Sequence, residues 1–290
     1  MQHDKLATRD YRHSPLTRAA RNLLRKVNRA IDEFALLADG DRVCVAVSGG
    51  KDSLSLLHLL VEHRRFYNLR YEFGAAHAVS DFSPNAAETK NSIGAICESL
   101  SIPCTFLPIS VTIGKNGEPT DPTCFWCSWK RREALFAHCV REGWTKLALA
   151  HHADDVTETT LLNLIYHGTL ETMLPARVFF DGAFTLIRPL FYVRERDLVR
   201  YACLAGFRTA SCVCPNADRN KRFRMKELVR DLAKESHLLH PNLWRAARLW
   251  WEAYGDHPLH KKEKAEGRRQ KTEGETTVER KETPGGDSDC

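Results

Sequence analysis

"VCVAVSGGKDSLSLLHLL", residues 43–60, joins a strand pattern to a helix pattern through two glycines, a lysine and two serines. Val43, Val45 and Val47 are β-branched and lead in as a short buried strand. Leu54, Leu57, His58 and Val61 then recur at helical spacing. The glycines therefore fall at a strand-to-helix turn, where backbone N–H groups converge on an anion at a helix N-terminus. The common phosphate loop sets its lysine after a longer spacer, G-x-x-x-x-G-K-[ST]. Here Ser48, Gly49, Gly50, Lys51, Asp52 and Ser53 are contiguous. A tight turn alone can use Gly-Gly, but that reading gives Lys51 and the flanking serines no purpose.

Downstream, "LRYEFGAAHAV" (69–79) reads as a second strand, about 84–100 as a helix and "PCTFLPI" (103–109) as a third strand. Residues 111–123 are rich in Gly and Pro and read as a loop. A helix over 124–143, a strand at "KLALA" (146–150), a helix over 154–168 and a short strand near "FTLIRPL" (184–190) follow. Helices at about 193–205, 219–236 and 240–254 complete the pattern. Upstream, residues 16–38 form an amphipathic helix, with Leu16, Ala20, Leu23, Leu24, Val27, Ile31 and Phe34 on one face. Strands alternating with helices predict an α/β chain with a doubly wound parallel sheet. Ligands of such sheets bind at the carboxyl ends of strands. The Ser48–Ser53 turn and "AHHADD" (150–155) both fall at such ends.

The 290 residues are 43% hydrophobic, enough to bury one α/β core with appendages. No apolar run reaches eighteen residues, so no membrane span is expected. The first fourteen residues lack the apolar centre of a secretory signal, so a cytoplasmic location is expected. Ten cysteines in that compartment point to ligands or catalysts rather than disulfides. Three segments are expected: a flexible N-terminus over 1–15, a folded domain over 16–255 and a disordered charged tail over 256–290. That tail holds eight Lys/Arg and nine Asp/Glu, which leaves 35 basic and 28 acidic residues, a net +7, on residues 1–255. The basic surplus suits RNA, and the amphipathic helix offers it Arg18, Arg21 and Arg25, with Lys26 and Arg29; a merely solvated face explains the same residues.

Asp154 and Asp155 start a helix. Two acids there suit the helix dipole, or a carboxylate holds Mg2+ against nucleotide phosphates. The glycine turn on the same sheet edge favours the second reading; His151 and His152 are candidates for binding or proton transfer, and a purely structural role explains them equally well. Cys124 and Cys127 form "CFWC" at a helix N-terminus, which favours thiolates. Alone, C-x-x-C is a redox pair, half a zinc site or chance. Cys212 and Cys214 make C-x-C, a poor second pair for tetrahedral zinc. An iron–sulfur cluster, by contrast, can use three thiolates. Cys44, Cys97, Cys104, Cys139 and Cys203 sit in strand or helix patterns and are expected to be buried hydrophobes.

"SGGKDS" resembles the signature of the PP-loop ATP pyrophosphatases. The ordered set of SGGKDS, C-x-x-C, "HHADDVTETTLLN", "LIRPL" and a late Cys-Pro is similar to the tRNA 2-thiocytidine synthetase family, over about residues 16–250. The resemblance implies a Rossmann-like, adenine nucleotide alpha hydrolase-like fold with N-terminal and C-terminal helices. It implies an enzyme that adenylates the C2 carbonyl oxygen of an anticodon-loop cytidine, position 32, and replaces that oxygen with sulfur. The site then holds ATP through Ser48, Gly49, Gly50, Lys51, Asp52, Ser53, His77, Asp154 and Asp155, with Mg2+ on Asp155. Lys51, Cys124, Cys127 and Asp155 carry the catalysis. A [4Fe–4S] cluster sits on Cys124, Cys127 and Cys214, with Cys212 the substitute where this chain has C-x-C in place of the family's C-x-x-C. Lys130, Arg131, Arg132, Arg222 and Arg224 lie beside the cysteines and are expected to hold RNA phosphates around a splayed base. The partners expected are a tRNA and a sulfur donor, a cysteine desulfurase or sulfide, with a homodimer allowed and no membrane. Two alternatives share the loop: 2-thiolation of a uridine or ribothymidine, and a lysidine-type ligase without sulfur chemistry.

Overall fold

The computed structural model describes residues 15–83, 85–113, 118, 123–207 and 221–254. The expectations for residues 1–14 and for the tail, together with Cys212 and Cys214, lie outside the described residues. The described residues form six strands and eight α-helices, and strands and helices alternate from the first helix to the fifth as the pattern predicts. They are α1 (Pro15–Glu33), β1 (Arg42–Ala46), α2 (Lys51–Phe66), β2 (Glu72–Ser80), α3 (Ala86–Ser99), β3 (Cys104–Ile109) and α4 (Cys124–Glu142). After these come β4 (Lys146–Ala148), α5 (Ala153–His167), β5 (Ala176–Phe179), β6 (Phe184–Ile187), α6 (Glu195–Ala205), α7 (Lys221–Glu235) and α8 (Leu239–Tyr254).

The strands form one sheet in the order β3-β2-β1-β4-β6-β5. Every pairing is parallel except β5 with β6. Val43, Cys44 and Val45 of the central strand are fully buried, as a strand covered on both faces must be. Val43, Val45 and Val47 join the core built with α1, α2, α3 and α6, while Cys44 packs with Leu135 and Cys139 of α4. The alternation places helices on both faces of the sheet. The chain winds outward from β1 through β2 to β3, then returns to lay β4 on the other side of β1. The order reverses between β1 and β4, which opens a crevice at their carboxyl ends. Two loops leave from that point: the glycine turn after β1 and residues 149–152 before α5.

Three local expectations are corrected. The first helix stops at Glu33 rather than at 38. Ala35 takes φ +47, and Leu36 N–H bonds to Ile31 O at 3.0 Å. The left-handed turn drives Leu36 and Leu37 into the core, which a continued helix could not do. Second, β5 is an antiparallel edge strand that no periodicity announces. It is four residues long, and its Val178 is 63% exposed, so there is no buried face to leave a pattern. Third, Cys203 is exposed on α6 and Cys104 is only half-buried, while Cys44, Cys97 and Cys139 are buried as expected. α6 buries Leu198, Tyr201 and Ala202, and that stripe leaves position 203 facing outward.

Candidate functional site

The glycine turn is braced from within. Ser53 Oγ donates to Gly50 O at 2.9 Å, and Ser48 N–H donates to Ser53 Oγ at 3.1 Å. Gly50 N–H reaches Ser48 Oγ at 3.3 Å. Gly49 has φ +84, a conformation that a side chain would strain. Gly50 caps α2 without any side-chain hydrogen bond. The first-turn N–H groups of α2 therefore keep their donors for an external anion at the positive end of the helix.

A cavity of about 430 Å3 lies over this turn. Ser48, Gly50, Asp52 and Ser53 form one wall, His77 from β2 a second, and Ser128, Arg131 and Arg132 of α4 a third. His151, Asp155 and Arg222 close the remaining side. Thus the carboxyl ends of β1, β2 and β4 and two helices distant in sequence meet at one concave surface, with three arginines among its walls.

Hydrogen bonds fix several groups. His77 Nδ1 lies 2.7 Å from Val47 O. A carbonyl only accepts, so the proton sits on Nδ1 and Nε2 is left as an acceptor. Burial, against the Val47 bond, lowers the His77 pKa and keeps the ring neutral. Arg188 Nε donates to His151 Nδ1 at 3.2 Å, which leaves the Nε2–H of His151 as a donor. Burial, with Arg188 next in effect, pushes the His151 pKa down to about 4. Arg188 is itself anchored to the carbonyl of Leu174.

The two adjacent acids have different surroundings. Asp155 lines the cavity, and its Oδ2 accepts from His152 N–H at 2.9 Å while its own N–H reaches His152 Nδ1 at 3.4 Å. This reciprocal cap holds the first turn of α5. Asp154 turns away from the cavity. Its Oδ2 accepts Glu195 N–H at 2.7 Å and its Oδ1 accepts Arg194 Nε at 3.3 Å, so it caps α6. Lys51 is also turned aside: Nζ sits 3.1 Å from Asp52 Oδ2 and 3.0 Å from Glu195 Oε1. Lys226 Nζ reaches the same Glu195 oxygen at 2.7 Å. Burial opposes the Glu195 charge, but the hydrogen bonds from Lys226 and Lys51 outweigh it and hold the pKa at about 2. Burial likewise acts to lower the Lys51 pKa, and Asp52 and Glu195 outweigh it and raise that pKa.

Glu158, one turn beyond Asp155, is 5% exposed. Burial first and Asp155 second raise its pKa to about 7. Neither Glu158 nor Glu195 was among the sequence candidates. The i, i+3 spacing of Glu158 from Asp155 was a usable signal, whereas nothing local ties Glu195 to Lys51 across 144 positions.

The remaining candidates separate into three groups. Cys124 opens α4, and Cys127 is half-buried in its first turn, immediately before the lining residue Ser128. Thr123 caps that helix by accepting Trp126 N–H at 3.1 Å. Lys130 lies over the stacked rings of Trp126 and Trp129, at 5.0 and 5.3 Å from their centroids, and bonds Glu133 at 3.0 Å. Arg18, Arg21 and Arg25 are exposed on α1, where Arg18 lines a separate groove against α6. Arg224 is exposed on α7 but does not line the cavity. Among the described residues, no three His, Cys, Asp or Glu side chains gather as a metal site, and no helix is long and apolar enough to cross a membrane.

Residues 19–230 match the PP-loop domain family. The chain is 35% identical over 233 residues to the tRNA-cytidine(32) 2-sulfurtransferase of Geobacter metallireducens, covering 78% of this chain and 88% of that protein. It is 38% identical over 229 residues to the protein of the same name from Geotalea daltonii, covering 76% and 88%. Among solved structures it resembles the U34-tRNA thiolase NcsA of Methanococcus maripaludis with its [4Fe-4S] cluster. The TM-score is 0.68 at 21% identity, over 81% of this chain and 79% of that one. At that identity the likeness speaks for the fold. The braced glycine turn at the sheet's switch point and these sequence matches agree, and the chain belongs to the PP-loop family, among relatives named tRNA-cytidine(32) 2-sulfurtransferases.

Proposed function

We propose that this chain is an ATP-dependent tRNA-cytidine 2-sulfurtransferase that acts on the cytidine at position 32. One observation carries the reading: a single cavity gathers the anion-binding turn, Asp155 and the helix that begins with the cysteine pair. Its relatives in sequence bear the same activity in their names.

The chemistry has two displacements. The C2 carbonyl oxygen of cytidine attacks the α-phosphorus of ATP; the new O–P bond forms as the α–β bond breaks and pyrophosphate leaves. A sulfide electron pair then attacks C2, and the C2–O bond breaks with AMP as the leaving group. No net oxidation occurs. The open N–H groups at the start of α2 hold the departing pyrophosphate, and Arg131, Arg132 and Arg222 offset its charge. Lys51 joins them by exchanging its carboxylate partners for phosphate oxygens. His151 donates from Nε2 while neutral, so it can bond a phosphoryl oxygen without adding charge. Asp155, which lines the cavity, would hold Mg2+, and the ion would offset phosphate charge there.

The residues fit an iron–sulfur cluster on donor chemistry. Cys124 and Cys127 stand at a helix N-terminus, which favours thiolates, and with Cys214, or Cys212, as the third ligand they would hold the cluster. When bound on three thiolates, a [4Fe–4S] cluster supplies an iron open to sulfide. The sulfur donor is a cysteine desulfurase or sulfide, and the setting is cytoplasmic.

Anaerobically purified protein tests the assignment of the thiols. Iron and acid-labile sulfide near four of each per chain are expected, with both lost in Cys127→Ala while ATP affinity stays within twofold. A colourless protein without iron contradicts the reading and points to the ligase alternative.

A further inference from the structure

A second cavity, of about 330 Å3, lies between α1, α5 and α8 and belongs to no part of the ATP site. Its size is at the lower end of the range for ligand pockets, roughly 300–1,000 Å3. Four arginines line it, Arg29, Arg194, Arg245 and Arg248, against one acid, Glu33. Tyr192 and Trp244 give it an aromatic wall, packed through Phe34 and Phe191. The Arg29 guanidinium lies 4.3 Å from the Tyr192 ring centroid, so cation and ring share one surface.

Arg29 pairs with Glu33 and Arg194 with Asp154, each at 3.3 Å, so the charge left for a ligand comes from α8. Arg245 and Arg248 are exposed on α8. Arg245 has no carboxylate partner among the described residues, and Arg248 meets only Glu252 at 3.5 Å, an exposed pair of little worth. His240 adds a buried polar atom. Thr157 Oγ1 donates to Ala153 O at 3.0 Å and lies 2.7 Å from His240 Nδ1, so the shared proton there comes from the imidazole. Its Nε2 is buried and faces Asp154 Oδ1 at 3.5 Å, which ties the ring to the first turn of α5.

Arginines beside aromatic rings suit a ligand that carries both phosphate and a flat base. An acidic peptide would use the arginines but leave the rings idle. We infer that this cavity is a second RNA subsite, holding a nucleotide of the tRNA other than the one thiolated. It is joined to the ATP site by a shared brace. Arg194 and His240 line the cavity, and both approach Asp154 Oδ1, at 3.3 and 3.5 Å. Asp154 adjoins Asp155 in the first turn of α5, so RNA seated here lies along the helix whose other side faces ATP.

The inference rests on the tRNA reading, and the test separates the two. Holoprotein binding to a tRNA transcript is measured over 50–200 mM salt for wild type and for Arg245→Glu/Arg248→Glu. The variant is expected to weaken binding at least tenfold and to reduce the salt slope by about one to two. ATP affinity, iron content and Tm stay unchanged. Ultraviolet crosslinking of the wild-type complex is expected to mark the peptides that hold Tyr192 or Trp244. If wild type binds tRNA but the variant keeps its affinity and slope, the subsite is overturned alone. Crosslinks confined to α4 and α7 overturn it as well. If wild type binds no tRNA at any salt, the proposed function falls and this inference with it.

Discussion

Lys51 shows how far a residue's role exceeds its motif. The sequence marks it as a phosphate ligand, yet in the folded chain its ammonium lies between Asp52 and Glu195, with Lys226 bridging from α7. On the proposed function, phosphates would compete with these two carboxylates for the cation. Lys51→Ala is expected to raise the Kd for ATP about tenfold or more and leave iron content intact, as calorimetry and an iron assay would show. Glu195→Gln keeps the shape but loosens the hold, so its effect on ATP affinity should be smaller than that of Lys51→Ala. Glu158 gives a pH prediction. Its pKa rises from 4.5 to about 7 on folding, so the folded chain favours the protonated acid. Its contribution is full below pH 4.5, falls as pH rises towards 7 and stays lost above that. Glu158→Gln should therefore have a higher Tm than wild type at pH 8, by a stability gain on the order of 1 kcal/mol, and the gap should close at pH 5. A gap that widens towards pH 5 would refute the assignment.

At the scale of elements, the first turn of α5 does two jobs with neighbouring acids. The pair "DD" was legible as a carboxylate cluster, but its division was not, because the partners of Asp154 come from α6 and α8. Asp154→Ala removes the acceptor that caps α6 and the partner of Arg194. A loss of roughly 1–2 kcal/mol is expected, and ATP affinity should fall several-fold because Glu195 sits on the freed end of α6. Denaturant unfolding and calorimetry read the two effects separately. Gly49→Ala would force a side chain into φ +84 in the anion turn; a loss of about 1–3 kcal/mol is expected, with weaker ATP binding. The helices and parallel strands were readable because their buried stripes repeat. The hairpin of β5 and the left-handed stop of α1 were not, since an exposed four-residue edge and a single φ leave no period. Pairings of distant side chains, such as Lys51 with Glu195, have no sequence signal at all.

Across the whole molecule, the sheet's reversal between β1 and β4 explains why residues from 48 to 222 reach one cavity. The alternation of elements made that switch point foreseeable, and the SGGKDS turn marked which strand ends would carry it. The basic surplus of residues 1–255 did not reveal how its arginines group on the surface. Arginines from α4 and α7 line the cavity over the glycine turn, while those of α1, α8 and the segment before α6 meet at a second one. On the proposed function, the turn, the acids and the thiols all serve 2-thiolation of cytidine. The most direct measurement incubates the cluster-loaded protein anaerobically with unmodified tRNA, ATP, Mg2+ and sulfide, then digests the tRNA and weighs its nucleosides by mass spectrometry. The expected product is 2-thiocytidine at position 32, with one AMP and one pyrophosphate formed per thiolated base. Thiolated uridine in its place, or ATP consumed with no thiolated cytidine, would contradict the proposed function.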